Sequence, residues 1–413
     1  MYCLPQLLWY GMLIAVLLVI CGSAPRAQSD EAGGWKPHLI RQGDGQGGWV
    51  LKEAECQILR YRERGWTAGF GVAQMDNGEI VLLGICSPRK SLWYGGGEAE
   101  KTIIAFSKDG GNSWTEFKQI GNLTGRPMML AYLGGGNLTF VSGKRYFSSD
   151  YGRTWSESVE VPPASNGGFF GTEGNPLVDG DEQGNVIRMA EIGYNFGPPG
   201  AEGNWPEDPS YGFIRWSYDG GRTWTDEVQP PEWRWQETYE GKTYTRGVSE
   251  GSLVRAANGW LVAALRTDMP ARYVDVPHSD QMEGVGISIS KDNGKTWSPV
   301  KDHILYHGGR MHAHLLRLPD GDLVMTVTVR HDIRGGELAT YRRGVEAIVS
   351  HDNGLTWDVG HKYILDEWEF YDSLDPAIGQ CGHLYATLLD DGSILTVHNN
   401  YLTMGMTLIR WRP

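Results

Sequence analysis

Short apolar stretches recur along the chain, each broken by a polar turn that contains glycine. MDNGEIVLL (75–83), GGGNLTFV (134–141), DEQGNVIRM (181–189), AANGWLVAAL (256–265), LPDGDLVMTV (318–327) and LDDGSILTV (389–397) follow this plan. Apolar runs of strand length on either side of an Asn-Gly or Asp-Gly turn predict tight hairpins. After five of the six hairpins, and another β-rich run, stands an octapeptide of the form Ser-x-Asp-x-Gly-x-Thr/Ser-Trp. Its copies are SKDGGNSW (107–114), SSDYGRTW (148–155), SYDGGRTW (217–224), SKDNGKTW (290–297) and SHDNGLTW (350–357).

Each unit therefore reads strand, glycine turn, strand, a loop of variable length, strand, octapeptide, strand. A four-stranded unit repeated about six times predicts an all-β chain, a six-bladed β-propeller. Within the octapeptide the Asp is placed to accept hydrogen bonds from the turn, the Gly supplies a permissive backbone and the Trp packs between sheets. The repeat is thus structural punctuation and not a reaction centre. The last unit stops after its third strand, MTLIRW (406–411), while AECQILRYRE (54–63) has no unit of its own. Closing the ring with this N-terminal strand removes two exposed edges and brings Cys56 toward Cys381, a candidate disulfide.

The first residues hold an apolar stretch from Leu7 to Cys21 followed by small residues to Ala27, which predicts a secretory signal peptide over 1–27. Residues 28–49 are then a linker and 50–413 the propeller. Export to the periplasm or medium follows; an N-terminal anchor facing outward is the second choice, with no stable membrane insertion after cleavage. Composition fits this picture: 17 Trp and 57 Gly suit aromatic wedges and many turns. A net charge of −13 with no run of Lys or Arg gives nucleic acid nothing to bind. The cysteines show no metal-type spacing, and neither a metal nor a cofactor is expected. Oligomeric state is not legible.

The octapeptides resemble the Asp-boxes of the sialidase (neuraminidase) superfamily, over about residues 50–413. The resemblance implies a six-bladed propeller in which three Arg clamp a substrate carboxylate, a Tyr activated by a Glu is the nucleophile and an Asp is the acid/base. A neutral Tyr suits an anomeric carbon that carries a carboxylate, the exception to the two-carboxylate rule, and planar guanidinium groups suit the carboxylate itself. SEGSLVRAANGWLVAALR (249–266) is similar to the family segment bearing the Glu and the second Arg, which implies Glu250 and Arg266. YRRGVEAIVSHDNGLTW (341–357) resembles the stretch with the third Arg, implying Arg342, or Arg343 in the neighbouring register. The first Arg should stand near Gly69, with Arg62 and Arg64 nearby. The Asp position falls in a loop that offers only Glu98 or Glu100. The Tyr position holds His383, with Tyr385 two residues on and so on the same strand face.

Strand ends elsewhere bring Arg126, Glu173, Arg188, His312, His314, Arg330, His331 and His398 to the same mouth, among which Arg330 and His312 are counted as substrate-binding. The His-Ala-His at 312–314 permits a metal, but hydrogen-bonded pocket histidines are the simpler reading. The function implied is a sialidase-like glycoside hydrolase that releases a terminal sialic acid or related acidic sugar from a glycan. The alternatives are a uronic-acid polysaccharide lyase with His383 and Tyr385 as base and acid, or a propeller that binds carbohydrate without turnover.

Overall fold

The structure, a computed structural model, describes residues 34–61, 66–87, 100–181, 186–199, 209–239, 241–268, 284–301, 309–330, 332–334, 337–340, 342–369, 383–400 and 402–413. Among these residues the fold is all-β apart from short 3-10 turns at Pro231–Trp233 and Val359–His361. Residues 1–27 lie outside the described ones, as do Arg62, Arg64, Glu98 and His331. No helix among the described residues is long and apolar enough to cross a membrane.

Antiparallel meanders form where the hairpins are expected. The first pairs Trp66–Gln74, Ile80–Ser87, Lys101–Ser107 and Lys118–Thr124 in order, and the second and third repeat the pattern over Met128–Glu160 and Leu177–Val228. Along each meander burial falls outward. Ile80–Ser87 (IVLLGICS) is buried at every position, whereas Lys118–Thr124 (KQIGNLT) is mostly exposed. A strand without polar alternation is one covered on both faces, and that is how the sheets pack. Val81, Leu83 and Ile104 of the first sheet meet Leu130, Leu138 and Phe140 of the second. Ile192, Ile214 and Trp216 of the third meet Leu253, Leu261 and Leu265 of the fourth. Phe70, Leu82 and Ile103 of the first also pack on Leu395, Val397 and Met406 near the C-terminus.

Two units depart from the expected plan. In the fourth, the outermost strand after the octapeptide is reduced to a single bridge, Ile287 to Lys301. The inner strand is instead extended backward as Lys242–Arg255 and pairs with Trp235–Tyr239. The second departure is at the N-terminus. Lys36–Gly43, read as linker from sequence, is a strand: it pairs with Trp49–Leu59 along its whole length and touches Tyr363–Glu369 at Arg41 and Gln42. Trp49–Leu59 in turn pairs with Gly405–Trp411, Glu55 opposite Arg410. A nine-stranded sheet results, from Arg310–Arg317 at one edge to Leu384–Leu388 at the other. Cys56 is a half-buried free thiol; Cys381, its expected partner, lies outside the described residues.

The octapeptides share one hydrogen-bond scheme. In the third copy Ser217 Oγ bonds Asp219 Oδ1 at 2.8 Å and accepts from Gly221 N at 2.7 Å. Asp219 accepts from Thr223 N at 2.9 Å and from Thr223 Oγ1 at 2.6 Å. Gly221 has φ +95°, a left-handed conformation that glycine adopts without penalty. These bonds favour the ionised Asp. Thr296 and Ser290 push the Asp292 carboxyl down to about 2, and in Asp219 the same bonds outweigh burial and lower it too.

Asp219→Ala is expected to destabilise the chain by about 1–2 kcal/mol, since it removes several bonds of about 1 kcal/mol or less net each, read as a lower Tm by calorimetry. Because the folded-state values are depressed, this stabilisation is complete above about pH 4. It fades as pH falls toward the folded values, so the variant has a shallower acid limb than the parent.

Candidate functional site

Register shifts recur in the first strands of the units, between Gly69 and Gly71, Met128 and Ala131, Val248 and Gly251, and Met311 and His314. A bulge re-aims a side chain that strict alternation would bury in a sheet face. His312, inside one of them, has φ +48°, a strained value for a residue with a Cβ. Glu250 lies inside another. The two bulges turn both side chains to one place at the end of the sheets.

Glu250 is held from both sides. Arg266 Nη1, across the hairpin, donates to Glu250 Oε1 at 2.6 Å, and His312 Nδ1 lies 3.0 Å from Oε2. Arg330 Nη2 sits 3.2 Å from His312 Nε2. An arginine only donates, so Nε2 carries the lone pair and Nδ1 the proton that faces Glu250. Burial alone would favour the protonated carboxyl, but Arg266, His312 and Arg330 outweigh it and hold Glu250 well below the usual carboxylate range.

Glu173 is the opposite case. It precedes Gly174 in the loop before Leu177–Gly180, and a Cβ on Gly174 would lie 1.7 Å from the carbonyl oxygen of Gly251. Two glycines thus let the backbone bearing Glu173 touch the backbone bearing Glu250, and Leu253 N bonds Asn175 O at 3.1 Å beside them. Glu173 is partly open to solvent at 22% of its side-chain surface, against 7% for Glu250. Tyr194 Oη donates to Glu173 Oε1 at 2.7 Å, and His383 Nδ1 lies 3.7 Å from Oε2. Burial and the charge of Glu250 push the Glu173 carboxyl up to about 8, against the opposing pull of Tyr194, Arg266 and Arg126. One carboxyl is therefore ionised and its neighbour protonated at neutral pH.

The His383 ring packs at a tilt against His312, with centroids 4.3 Å apart, and against Phe70 at 4.8 Å. Burial, His312 and Arg126 hold it well below the usual histidine range, so it is neutral. Tyr385 donates to the backbone oxygen of Glu173 at 3.2 Å, and burial and the two glutamates raise its phenol well above the usual value. His314 lies behind Tyr385 at 6.2 Å, pushed down to about 3 by burial. Glu173, His312 and His383 bring ligand-type atoms within 4.8 Å of one another. Both nitrogens of His312 are already engaged, and Arg126, Arg266 and Arg330 add positive charge to the same space. A cation would meet repulsion there, and no metal is assigned.

The sequence-derived candidates divide accordingly. Glu250, Arg266, His312, Arg330, His383 and Tyr385 come together. Tyr385 differs from expectation in its partner, the Glu173 backbone and not the Glu250 carboxylate. Arg342 is elsewhere: its ion pairs among the described residues are to Glu346 and Glu367. Arg343 is fully buried on the opposite strand face, the one that carries Val345 and Ala347 into the core. At the place of the first arginine, Gly69 N bonds Asn399 at 2.8 Å, and a Cβ there would stand 2.5 Å from Val397. No arginine fits that backbone. Glu98 lies outside the described residues, Glu100 pairs with Arg126 at 3.6 Å, Arg188 pairs with Asp179, and His398, across the ladder from Leu384, pairs with Asp366. Sequence reasoning placed Glu173 at the mouth without a role and missed Tyr194. The signal for both was the Gly174 and Gly251 pair, whose close approach only the fold reveals.

The BNR/Asp-box repeat family matches residues 288–299, the fourth octapeptide and its flanks. No curated protein matches the chain. Among solved structures, a protein of unknown function from Dyadobacter fermentans DSM 18053 superposes with TM-score 0.58 at 18% identity, covering 86% of this chain and 98% of its own. A Hadza microbial sialidase gives 0.51 at 13% identity, with 87% and 69% covered. An α-L-arabinofuranosidase of Fusarium graminearum, solved with arabinobiose, gives 0.50 at 13% identity, with 85% and 94% covered. The chain thus carries the BNR/Asp-box repeat on a fold that it shares with a sialidase and an arabinofuranosidase.

Proposed function

We propose that this chain is an exported glycoside hydrolase acting on the terminal sugar of a glycan, with Glu173 as general acid and Glu250 as the ionised partner. One observation carries this: two glutamates packed backbone to backbone at one place at the strand ends, their environments driving their proton affinities apart. Such divergence is the mark of acid and base assignments in glycosidases. Six four-stranded units arranged as propeller blades, the last completed by the N-terminal strand, supply the frame; the pairing of Trp49–Leu59 with Gly405–Trp411 supports that closure.

Glu173 is the more exposed of the two and meets substrate first. Tyr194 occupies its Oε1, which leaves the proton on Oε2. That proton passes to the glycosidic oxygen, the bond from that oxygen to the anomeric carbon breaks, and the electron pair leaves with the oxygen. Glu250 stabilises the positive charge that develops at the anomeric carbon. Water then adds to that carbon and returns a proton to Glu173. Arg126, Arg266 and Arg330 around the pair suit a terminal sugar that carries a carboxylate, sialic acid among them. Elimination from a uronic acid is less favoured, because a histidine held as far below its usual range as His383 is a weak base.

Turnover of aryl α-sialoside, β-glucuronide and α-L-arabinofuranoside by the purified chain tests the assignment. Glu173→Gln and Glu250→Gln are each expected to lower kcat by about 10²–10⁴-fold, the usual worth of a positioned acid or base. An unsaturated, ultraviolet-absorbing product from a uronate polysaccharide would replace hydrolysis by elimination. Glycan binding without turnover, unchanged in both variants, would leave a binding module.

The pH profile carries a second signature. Glu173 must be protonated, so kcat/KM is expected to fall as pH rises through about 8. With a phenyl leaving group of low basicity, Glu173→Gln loses that basic limb. Finally, Gly174→Ala drives a Cβ into the Gly251 carbonyl. Displacing Glu173 by as little as 1 Å is expected to lower kcat by about 10²-fold, while circular dichroism shows the β-fold retained.

A further inference from the structure

A second cluster of charge lies in the strand Arg342–Ser350, away from the two glutamates. Arg342 and Glu346 share one face of it, and Glu346 is only 1% exposed. Its Oε1 receives Arg342 Nη2 at 2.5 Å, Lys362 Nζ at 3.1 Å and Arg310 Nη2 at 3.4 Å. One carboxylate oxygen thus serves three cations. Burial, with the like charges of Arg310 and Arg342, pulls Lys362 below the usual lysine range even with Glu346 beside it. The Arg342 Nη1 atom is buried without a hydrogen-bond partner, 3.9 Å from the nearest oxygen of Glu367.

Arg342 and Lys362 border a recess of about 550 Å³ whose lining also includes Arg41, Trp49, Glu367 and Trp368. Arg41 bonds Glu367 at 2.5 Å and lies over the Trp49 ring at 5.0 Å. Trp49 itself is 43% exposed, so an aromatic surface stands open next to the charge. Four cations, Arg41, Arg310, Arg342 and Lys362, meet the carboxylates of Glu346 and Glu367, with exposed Glu369 at the rim. Register places Arg342 opposite Glu369 at the strand end where Arg330 and His312 also stand in this sheet. The recess therefore opens near the same end of the molecule as the glutamate pair.

We propose that this recess is a second binding site, which takes the oxyanion group of an acidic glycan against Arg41, Arg342 and Lys362 and stacks a sugar ring on Trp49. Guanidinium and ammonium groups match an oxyanion, carboxylate or sulfate, by charge and by hydrogen-bond geometry. A tryptophan face offers apolar surface to the C–H face of a ring at little entropic cost. The site does not depend on the role given to Glu173 and Glu250.

Isothermal titration calorimetry of the full chain with a tetragalacturonic acid, a sulfated chondroitin tetrasaccharide and neutral maltotetraose tests it. At least one acidic probe is expected to bind, more weakly as salt rises, and the probe that binds tells carboxylate from sulfate. Arg41→Ala combined with Trp49→Ala, the first half-buried and the second exposed, is expected to weaken that binding about tenfold or more, on the scale of one charge-assisted contact. The same double variant should hydrolyse a small aryl glycoside at the parent rate, which separates this site from the reaction centre. If neither acidic probe binds, if maltotetraose binds equally well, or if the double variant binds undiminished, the site is overturned.

Discussion

No four-stranded meander among the described residues buries its apolar surface by itself. Strands such as Ile80–Ser87 and Leu323–Val329 are covered along both faces, so each meander needs neighbours, and most apolar clusters form where one four-stranded unit packs on the next, between sheets or between the two ends of the nine-stranded sheet. That constraint fixes the direction of the inner strands. It brings the starts of the first strands and the ends of the second strands to one region, whatever their side chains. Chemistry can be placed there without disturbing the packing, because the octapeptide turns that stabilise five of the units lie at the other ends of the strands.

The bulges convert this arrangement into a site. Regular alternation sends every second side chain of an inner strand into a sheet face; an extra residue at Val248–Gly251 and Met311–His314 frees Glu250 and His312 from it. Their neighbours supply the rest. Arg266 and Arg330 come from the ends of the adjacent strands, His383 from the residue before another inner strand, and Glu173 from a loop brought close by two glycines. The two carboxyls end in different electrostatic surroundings although they are neighbours. Glu250 is deeper and has two immediate positive or proton-donating partners. Glu173 is closer to water, yet its only direct side-chain donor within 3 Å among the described residues is neutral Tyr194.

Much of this was legible in the sequence because it is local. The octapeptide bonds span two to four residues, so their chemistry is written in consecutive letters, and Glu250 with Arg266 follows from one hairpin. Two residues apart on a strand, His383 and Tyr385 were expected to arrive together. What is not legible is non-local or depends on parity. Arg342 was placed at the substrate by likeness of its surroundings, but its strand face turns it to Glu346. The partner of Tyr385 is not legible either, because its hydroxyl meets the backbone oxygen of Glu173, which another unit supplies. Lys36–Gly43 carries too few apolar residues to announce a strand, and it forms one because Trp49–Leu59 lends it a full ladder of partners. Glu173 and Tyr194 needed the approach of two glycines from different units, which no spacing encodes.

The pairing of Glu55 with Arg410 spans 355 positions of sequence. During synthesis at about 5–20 residues per second, the strand that holds Glu55 waits tens of seconds for its partner. Throughout that interval Trp49–Leu59 offers an unpaired edge to any other chain, and so do the early meanders whose neighbour has not been made. A chain of this design depends on being kept apart from its own copies until the last strand emerges. Crowded expression should therefore trap strand-exchanged aggregates more readily than misfolded single units.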